Sequence, residues 1–457
     1  MLLITACHSP APEPYGPVPT EAQLAWQRME INMFCHFGPN TFTGAEWGTG
    51  DEAEALFNPT SLDCRQWIDV AEQAGMKGIV LTAKHHDGFC LWPSAYSNHT
   101  VTQSPWNEGH GDVLREFTDA CHGRIKAGLY LSPWDRHDST YGTPQYNDRF
   151  VATLNEVLSS YHDIYEQWFD GANGEGPNGK HQKYDWQRFN ATVAQLQPKA
   201  LVFSDVGPGC RWVGNEDGRA GETCWSTIDV EGCEPGTGNP STDLLTHGKQ
   251  GGKSWIPAEA DVSIRPRWFW HADEQPKTVD ELMEIYYNSV GRNALLLLNV
   301  PPDNRGLIPA EDSTVLVAFR QERDRIFGHD LTHGGNAHGN HLKGRRYRAA
   351  NVLDTAYHSY WAATDTGDTL YISTPNPVLF DIIMLQEYIP LGQRVAAFNV
   401  DCLVNGRWVT VAKGTTIGYK RLLRIPATIA SQIRIVFDSA LAAPIINRIA
   451  LYNTQAQ

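Results

Sequence analysis

The sequence predicts an α/β fold, a (β/α)8-like TIM barrel, followed by a C-terminal β-sandwich domain. Three observations carry this. Between about residues 30 and 300, short β-rich runs alternate with segments of helical period. Several of the strand runs are apolar throughout, as strands buried on both faces are. Beyond about residue 344 only strand patterns remain.

The first strand is expected over Glu30 to His36. The helix Cys64 to Gly75 follows, because Trp67, Val70, Ala71 and Ala74 recur at i, i+3, i+4 and i+7, and Gly75 suits its C-cap. Gly78 to Lys84 is a second, continuously apolar strand, and the helix Asp112 to Cys121 comes after it. Then come the strand Ala127 to Ser132, the helix Arg149 to His162, the strand Ile164 to Asp170, the helix Asp185 to Gln197 and the strand Ala200 to Ser204. Trp225 to Asp229 and Trp255 to Glu259 are fainter strands. The helix Thr278 to Val290 leads into a clear buried strand, Ala294 to Val300. Eight strands with five recognisable helices fit a barrel in which some helices are lost or irregular. Gly328 to Gly344, rich in Gly, His and Asn, reads as a linker. Thr369 to Ser373, Phe380 to Leu385, Arg407 to Val411 and Gln432 to Phe437 read as sandwich strands. The expected domains are therefore 1–20, a signal remnant and Pro-rich spacer; 21–330, the barrel; and 331–457, the sandwich.

A net charge of −15 without a Lys/Arg-rich run excludes a nucleic-acid partner, which needs a basic footprint. Fifteen Trp, 17 Tyr and 17 His suit a polyhydroxylated ligand with apolar C–H faces, although a Trp-rich core explains the aromatics equally well. The nine cysteines show no zinc-like spacing, and the reading requires no metal and no cofactor. No apolar run is long enough to span a membrane. Ile4-Thr5-Ala6-Cys7 resembles the end of a bacterial lipoprotein signal, though the charged start and most of the apolar region are missing. Lipidation at Cys7, with Pro10, Pro12, Pro14, Pro17 and Pro19 as a stiff spacer, would place the chain in the bacterial periplasm or cell envelope. That anchor is the one membrane contact expected.

Residues at the carboxyl ends of barrel strands face the active site. Here those ends are unusually polar: His36-Phe37-Gly38 with Glu46-Trp47 in its loop, Lys84-His85-His86-Asp87-Gly88, Tyr130, and Trp168-Phe169-Asp170-Gly171. His85 and His86 are adjacent, so they are expected to point to opposite sides, one meeting the ligand and the other bracing it. His36, His85 and His86 could converge on an ion, but no acidic fourth ligand accompanies them.

Over roughly residues 25 to 325 these runs resemble the α-L-fucosidases of glycoside hydrolase family 29. Lys84-His85-His86-Asp87-Gly88-Phe89 with Trp92-Pro93-Ser94 is the most specific run, and Phe34-Cys35-His36-Phe37-Gly38-Pro39 with Glu46-Trp47 matches the first loop. Trp168-Phe169-Asp170-Gly171 is similar to the nucleophile motif. Arg211-Trp212-Val213-Gly214-Asn215-Glu216-Asp217-Gly218 is similar to the acid/base loop of the branch restricted to α-1,3 and α-1,4 linkages.

The resemblance implies a retaining, exo-acting α-L-fucosidase acting on Lewis-type glycans by double displacement, with Asp170 as nucleophile and Glu216 as acid/base. It implies His36, Glu46, Trp47, His85, His86 and Tyr130 as sugar contacts. For fucose, whose C6 is a methyl group, Trp255 and Trp268 are candidates for an aromatic wall, and a place in the core is the equal alternative for each. Glu259 and Arg265 read as loop-ordering residues. The C-terminal domain, with Gln386-Glu387-Tyr388-Ile389 and Gly392-Gln393-Arg394-Val395, resembles a discoidin-like domain, either sugar-binding or purely structural. Two other readings compete: a metal-dependent hydrolase on the same barrel, which a chelator would stop, and a non-catalytic fucose-binding protein, which would lack one of the two carboxylates.

Overall fold

The computed structural model describes residues 10–455, so the Cys7 lipidation run lies outside the described residues. Eight parallel strands close into a barrel in chain order: β1 (Ile31–Cys35), β2 (Gly78–Lys84), β3 (Lys126–Leu131), β4 (Glu166–Trp168), β5 (Leu201–Ser204), β6 (Cys210–Trp212), β7 (Ala258–Ser263) and β8 (Leu295–Asn299). All five expected helices are present, at Cys64–Gln73, Val113–Cys121, Pro144–Ser160, Trp186–Leu196 and Val279–Asn288. A further long helix, Ala310–Phe327, completes the outer ring.

Period two sorts each strand's residues between two cores. Phe34, Val80, Tyr130, Trp168, Leu295 and Leu297 point into the barrel and cluster there. Their neighbours Met33, Cys35, Ile79, Leu81, Leu129, Leu131, Leu296 and Leu298 point outward and pack with the helices. The same alternation, run one step past the strand ends, carries His36 above Phe34 and Asp170 above Trp168.

The sixth and seventh strands differ from expectation. Trp225 to Asp229 is not a barrel strand: Thr227–Ile228 pairs antiparallel with Ser254–Trp255 in a separate small sheet. The sixth place belongs to Cys210–Trp212, joined in parallel to β5 through residues 205–209 alone. The usual crossover between parallel strands takes a dozen or more residues, so the short connection disguised the strand. The seventh strand starts at Ala258, and Glu259 stands inside the barrel and not on a loop.

The helix Glu21–Gln27 closes the amino end of the barrel. Thr20 and Gln23 form its capping box, Trp26 Nε1 donates to Glu166 Oε1 at 3.2 Å, and Gln23 Nε2 donates to the carbonyls of Gly209 and Trp255 at 2.8 Å each. The Pro-rich segment does not stand free over its whole length. Tyr15 N–H donates to Leu391 O at 3.0 Å and Arg394 Nη2 to Glu13 O at 2.6 Å, which ties residues 13 to 15 to the C-terminal domain.

That domain is an antiparallel sheet built on two long strands, Thr369–Glu387 and Arg421–Ala440, with Val395–Val404, Arg407–Gly414 and Ile445–Tyr452 beside them. Asn336–His338, inside the expected linker, adds a short strand to Thr369–Glu387. Leu370, Ile372, Phe380, Ile383, Val400 and Phe437 share one core. The domain is pinned to the barrel at Glu30, just before β1. Its carboxylate accepts from Lys420 Nζ at 2.6 Å, Tyr419 Oη at 2.9 Å and Tyr286 Oη at 3.3 Å. No helix among the described residues is long and apolar enough to cross a membrane.

Candidate active site

Asp170 stands two residues beyond the end of β4, above the Trp168 ring. Its Oδ1 accepts the Ala172 N–H at 2.7 Å and its Oδ2 accepts the Tyr130 hydroxyl at 3.0 Å. Both oxygens are thus held by donors, which fixes the carboxylate plane. Burial raises the Asp170 pKa, and these two donors pull against that rise.

Three histidines flank it. Asn299 Nδ2 donates to Ser263 Oγ and to the Trp268 carbonyl, both at 2.8 Å, so its Oδ1 is the acceptor that meets His36 Nδ1 at 2.8 Å. His36 therefore carries its proton on Nδ1, and burial drives its pKa down to about 3. Ser132 Oγ donates to Trp134 O at 2.7 Å and accepts from His86 Nδ1 at 2.7 Å, which leaves His86 Nε2 unprotonated, 3.7 Å from Asp170 Oδ2. Burial, with the Lys84 charge, takes His86 down to about 3 as well.

His85 and His86 do not diverge as expected. Their ring centroids are 4.1 Å apart, and His85 stacks on Tyr130 at 5.5 Å and meets His36 at 5.6 Å. β2 ends at Lys84, and a turn closed by the Gly88 N–H on the His85 carbonyl at 3.1 Å takes both residues out of the extended backbone in which alternation would have separated them.

Glu216 lies on the excursion that follows β6. Its Oε2 accepts Trp268 Nε1 at 3.2 Å. Burial raises its pKa, and the charges of Asp170, Asp217 and Glu46 push the same way. Glu46 is a brace: its Oε2 accepts the Trp268 backbone N–H at 2.8 Å and its Oε1 meets His271 Nε2 at 3.1 Å. The Trp268 ring packs 5.0 Å from His36. Trp47 is 61% exposed, with its ring 5.8 Å from Trp134 and 6.3 Å from His86, and forms the rim. Beyond Glu216 and Trp268 opens a cleft of about 620 Å³ lined also by Asp217, Arg219, Lys277 and Glu284.

Trp255 does not join this cluster. It precedes the amino end of β7, at the opposite mouth, and is buried with Leu24, Ile389 and Tyr419. Several residues unnoticed in the sequence do join it. Trp134 packs 4.7 Å from His86, and its signal was the Leu131-Ser132-Pro133-Trp134 run leaving β3. Asp261 points into the barrel from β7 and accepts Trp212 Nε1 at 2.9 Å; burial, with the charges of Glu216 and Asp170, pushes it well above the usual carboxyl range. Asp205 follows β5 and touches Gly171. Arg265, expected from the sequence to order a loop, does so after β7, giving two hydrogen bonds to Asp312 at 2.9 and 2.8 Å.

Among the described residues, Glu166, Cys210 and Glu259 bring ligand-type atoms within 4.8 Å of one another. They lie inside the barrel below Trp168, whose Nε1 donates to Glu259 Oε1 at 2.9 Å. Burial raises the pKa of both carboxyls and of the thiol.

The arrangement can hold one carboxylate rigidly against a sugar ring and present a second, partly buried carboxyl as a proton donor. The family model described as alpha-L-fucosidase matches residues 16–321. An Arabidopsis thaliana protein named alpha-L-fucosidase 1 is 43% identical over 453 residues, covering 97% of this chain and 89% of that protein. A putative alpha-L-fucosidase from Bacteroides thetaiotaomicron superimposes with a TM-score of 0.91 at 38% identity, over 97% of this chain and 99% of that one. A Ruminococcus gnavus GH29 fucosidase in complex with fucose superimposes with a TM-score of 0.90 at 32% identity, over 98% of each chain.

Proposed function

The chain belongs to the α-L-fucosidase family, glycoside hydrolase family 29, and from that premise we propose a retaining, exo-acting fucosidase that cleaves α-1,3- and α-1,4-linked fucose from Lewis-type glycans. The observation that carries this reading is the double clamp on Asp170, whose oxygens are held by the Ala172 N–H and the Tyr130 hydroxyl. A nucleophile held in one orientation needs little reorganisation to reach the anomeric carbon.

In the first step Asp170 attacks that carbon while Glu216 gives its proton to the departing glycosidic oxygen. In the second, Glu216 takes a proton from water, and the water displaces Asp170 to release fucose with its configuration retained. The raised pKa of Glu216 suits a group that must be protonated near neutral pH. Neutral His86 leaves Nε2 free beside Asp170, an acceptor to which a sugar hydroxyl can donate while Asp170 Oδ2 keeps the Tyr130 hydroxyl as its donor. His36, His85 and Tyr130 make the adjoining wall, and Trp47, Trp134 and Trp268 offer apolar faces to the C6 methyl group. The cleft beside Glu216 has room for the rest of a branched glycan, whose remote contacts supply binding energy that a simple aryl fucoside lacks. Attachment to the bacterial envelope rests on the Ile4-to-Cys7 run alone, and labelling of Cys7 with a fatty acid tests it.

The test of mechanism is Asp170→Gly. Turnover should fall to near zero, and azide should restore part of it by forming a fucosyl azide of inverted configuration. Full activity in the variant would remove Asp170 from the role. Rates on α-1,2-fucosyllactose equal to those on branched α-1,3/1,4 substrates would overturn the linkage assignment.

A further inference from the structure

Asp205 has no part in the mechanism above, yet it stands beside the nucleophile turn and ties a distant loop to it. It follows β5, and its Oδ2 accepts the Gly236 N–H at 2.8 Å, 31 residues away. Gly236 belongs to the 229–240 loop, within the excursion between β6 and β7 that also carries Glu216.

The fit on both sides is close. A Cβ on Gly171, the residue after Asp170, would collide with the Asp205 carboxylate, and a Cβ on Gly236 would collide with the Gly171 carbonyl oxygen. Gly236 also has φ +76°, a conformation that side chains disfavour. The nucleophile turn and the loop tip thus meet backbone to backbone, and the Asp205 carboxylate, reaching from the end of β5, packs against both. The contact lies at the rim, since the loop tip itself is exposed. Burial and the charge of Asp170 push Asp205 up to about 6, so at neutral pH it remains an ionised acceptor, the form that holds an N–H most strongly.

We propose that Asp205 is a positioning residue: its carboxylate latches the 229–240 loop onto the Asp170–Gly171 turn, and the seated loop forms one wall of the sugar pocket. The inference rests on the fucosidase reading for what the wall encloses, while the latch itself is a matter of structure. Asp205→Ala removes the acceptor. Asp205→Asn keeps an amide oxygen for the same N–H and removes only the charge. Gly236→Ala dislodges the loop from its own side without touching Asp205.

Two measurements on the full chain separate the possibilities. The first is cleavage of the native enzyme by a Glu-specific protease after Glu231, which is exposed on the loop. Asp205→Ala and Gly236→Ala should be cut faster than wild type, and Asp205→Asn at close to the wild-type rate. This readout does not depend on activity, so a wild-type enzyme inert on fucosides would sink the functional reading and leave the latch still measurable. The second is steady-state kinetics on a branched fucosyl oligosaccharide. Asp205→Ala and Gly236→Ala should raise KM about tenfold with a smaller change in kcat, and Asp205→Asn should recover most of the loss. Unchanged cleavage in both Asp205→Ala and Gly236→Ala would overturn the proposal. Equal impairment of Asp205→Ala and Asp205→Asn with normal Gly236→Ala would overturn it too, because the carboxylate would then act through its charge on Asp170.

Discussion

The Tyr130 hydroxyl donates to Asp170 Oδ2 at 3.0 Å, and so favours the ionised form of the carboxylate that must attack. Tyr130→Phe removes that donor and leaves the ring. The Asp170 pKa, already raised by burial, should rise further, so the acidic limb of the kcat/KM profile moves to higher pH. A hydrogen bond to a charged group is worth about 1.5–3 kcal/mol, which corresponds to roughly 10- to 100-fold in rate. A pH–rate profile with an unmoved acidic limb would show that Tyr130 does not act on Asp170.

Trp268 holds the other carboxylate. Its indole N–H donates to Glu216 Oε2 at 3.2 Å, an interaction that lowers the Glu216 pKa against the rise from burial and neighbouring charges. Trp268→Phe should therefore raise it further and move the alkaline limb, where protonated Glu216 is lost, to higher pH. The maximal rate should fall because the acid is no longer oriented. A shift of that limb to lower pH would contradict this geometry.

These residues were legible because strand alternation is a local rule. Gly78 to Lys84 is a strand from end to end as expected, and the period that places Trp168 inside the barrel also places Asp170 at its mouth. The misreadings have local causes as well. Cys210–Trp212 carries a charged residue in its centre, but Arg211 is fully buried and donates to the carbonyls of Leu245, Ile256 and Trp225, partners drawn from far along the chain. Such a strand cannot be recognised by hydrophobicity. In β7 the outward residues Ala258, Ala260 and Val262 are small or apolar, and Glu259, Asp261 and Ser263 face inward. The alternation is complete, but its inner face is polar, the reverse of the usual barrel interior, and the expected strand Trp255 to Glu259 overlaps only its first two residues.

The polar pin between the domains should matter for stability. Burial alone would raise the Glu30 pKa, but Lys420, Tyr419 and Tyr286 more than offset that and hold it below the ordinary 4.5. A depressed carboxyl pKa contributes stability that is fully present above 4.5 and is lost as pH falls through the folded-state value. Glu30→Gln leaves Lys420 without its counter-charge and should cost about 1–3 kcal/mol at neutral pH. Thermal unfolding near pH 7 should show a clear loss relative to wild type, and the difference should shrink on acidification. A difference that is constant from pH 7 down to strongly acidic conditions would rule out the ionised Glu30 as the source.

Glu216 supplies the sharpest test, because a general acid matters in proportion to how poor the leaving group is. Its contribution is typically about 10²–10⁴-fold, most of it spent on departing sugar alkoxides and little on an acidic phenol. Glu216→Ala should cripple release of fucose from natural oligosaccharides and spare the first step on an activated aryl fucoside. Hydrolysis of the glycosyl-enzyme should then become slow, because the same residue activates water, so a burst of phenol is expected before the steady state. The alkaline limb of the pH profile should flatten. Asp217, the neighbouring carboxylate, lines the same cleft and is the control. If Asp217→Ala shows the leaving-group dependence and Glu216→Ala lowers both substrates equally, the acid/base role belongs to Asp217, and the Trp268 hydrogen bond to Glu216 would then serve only to order the loop.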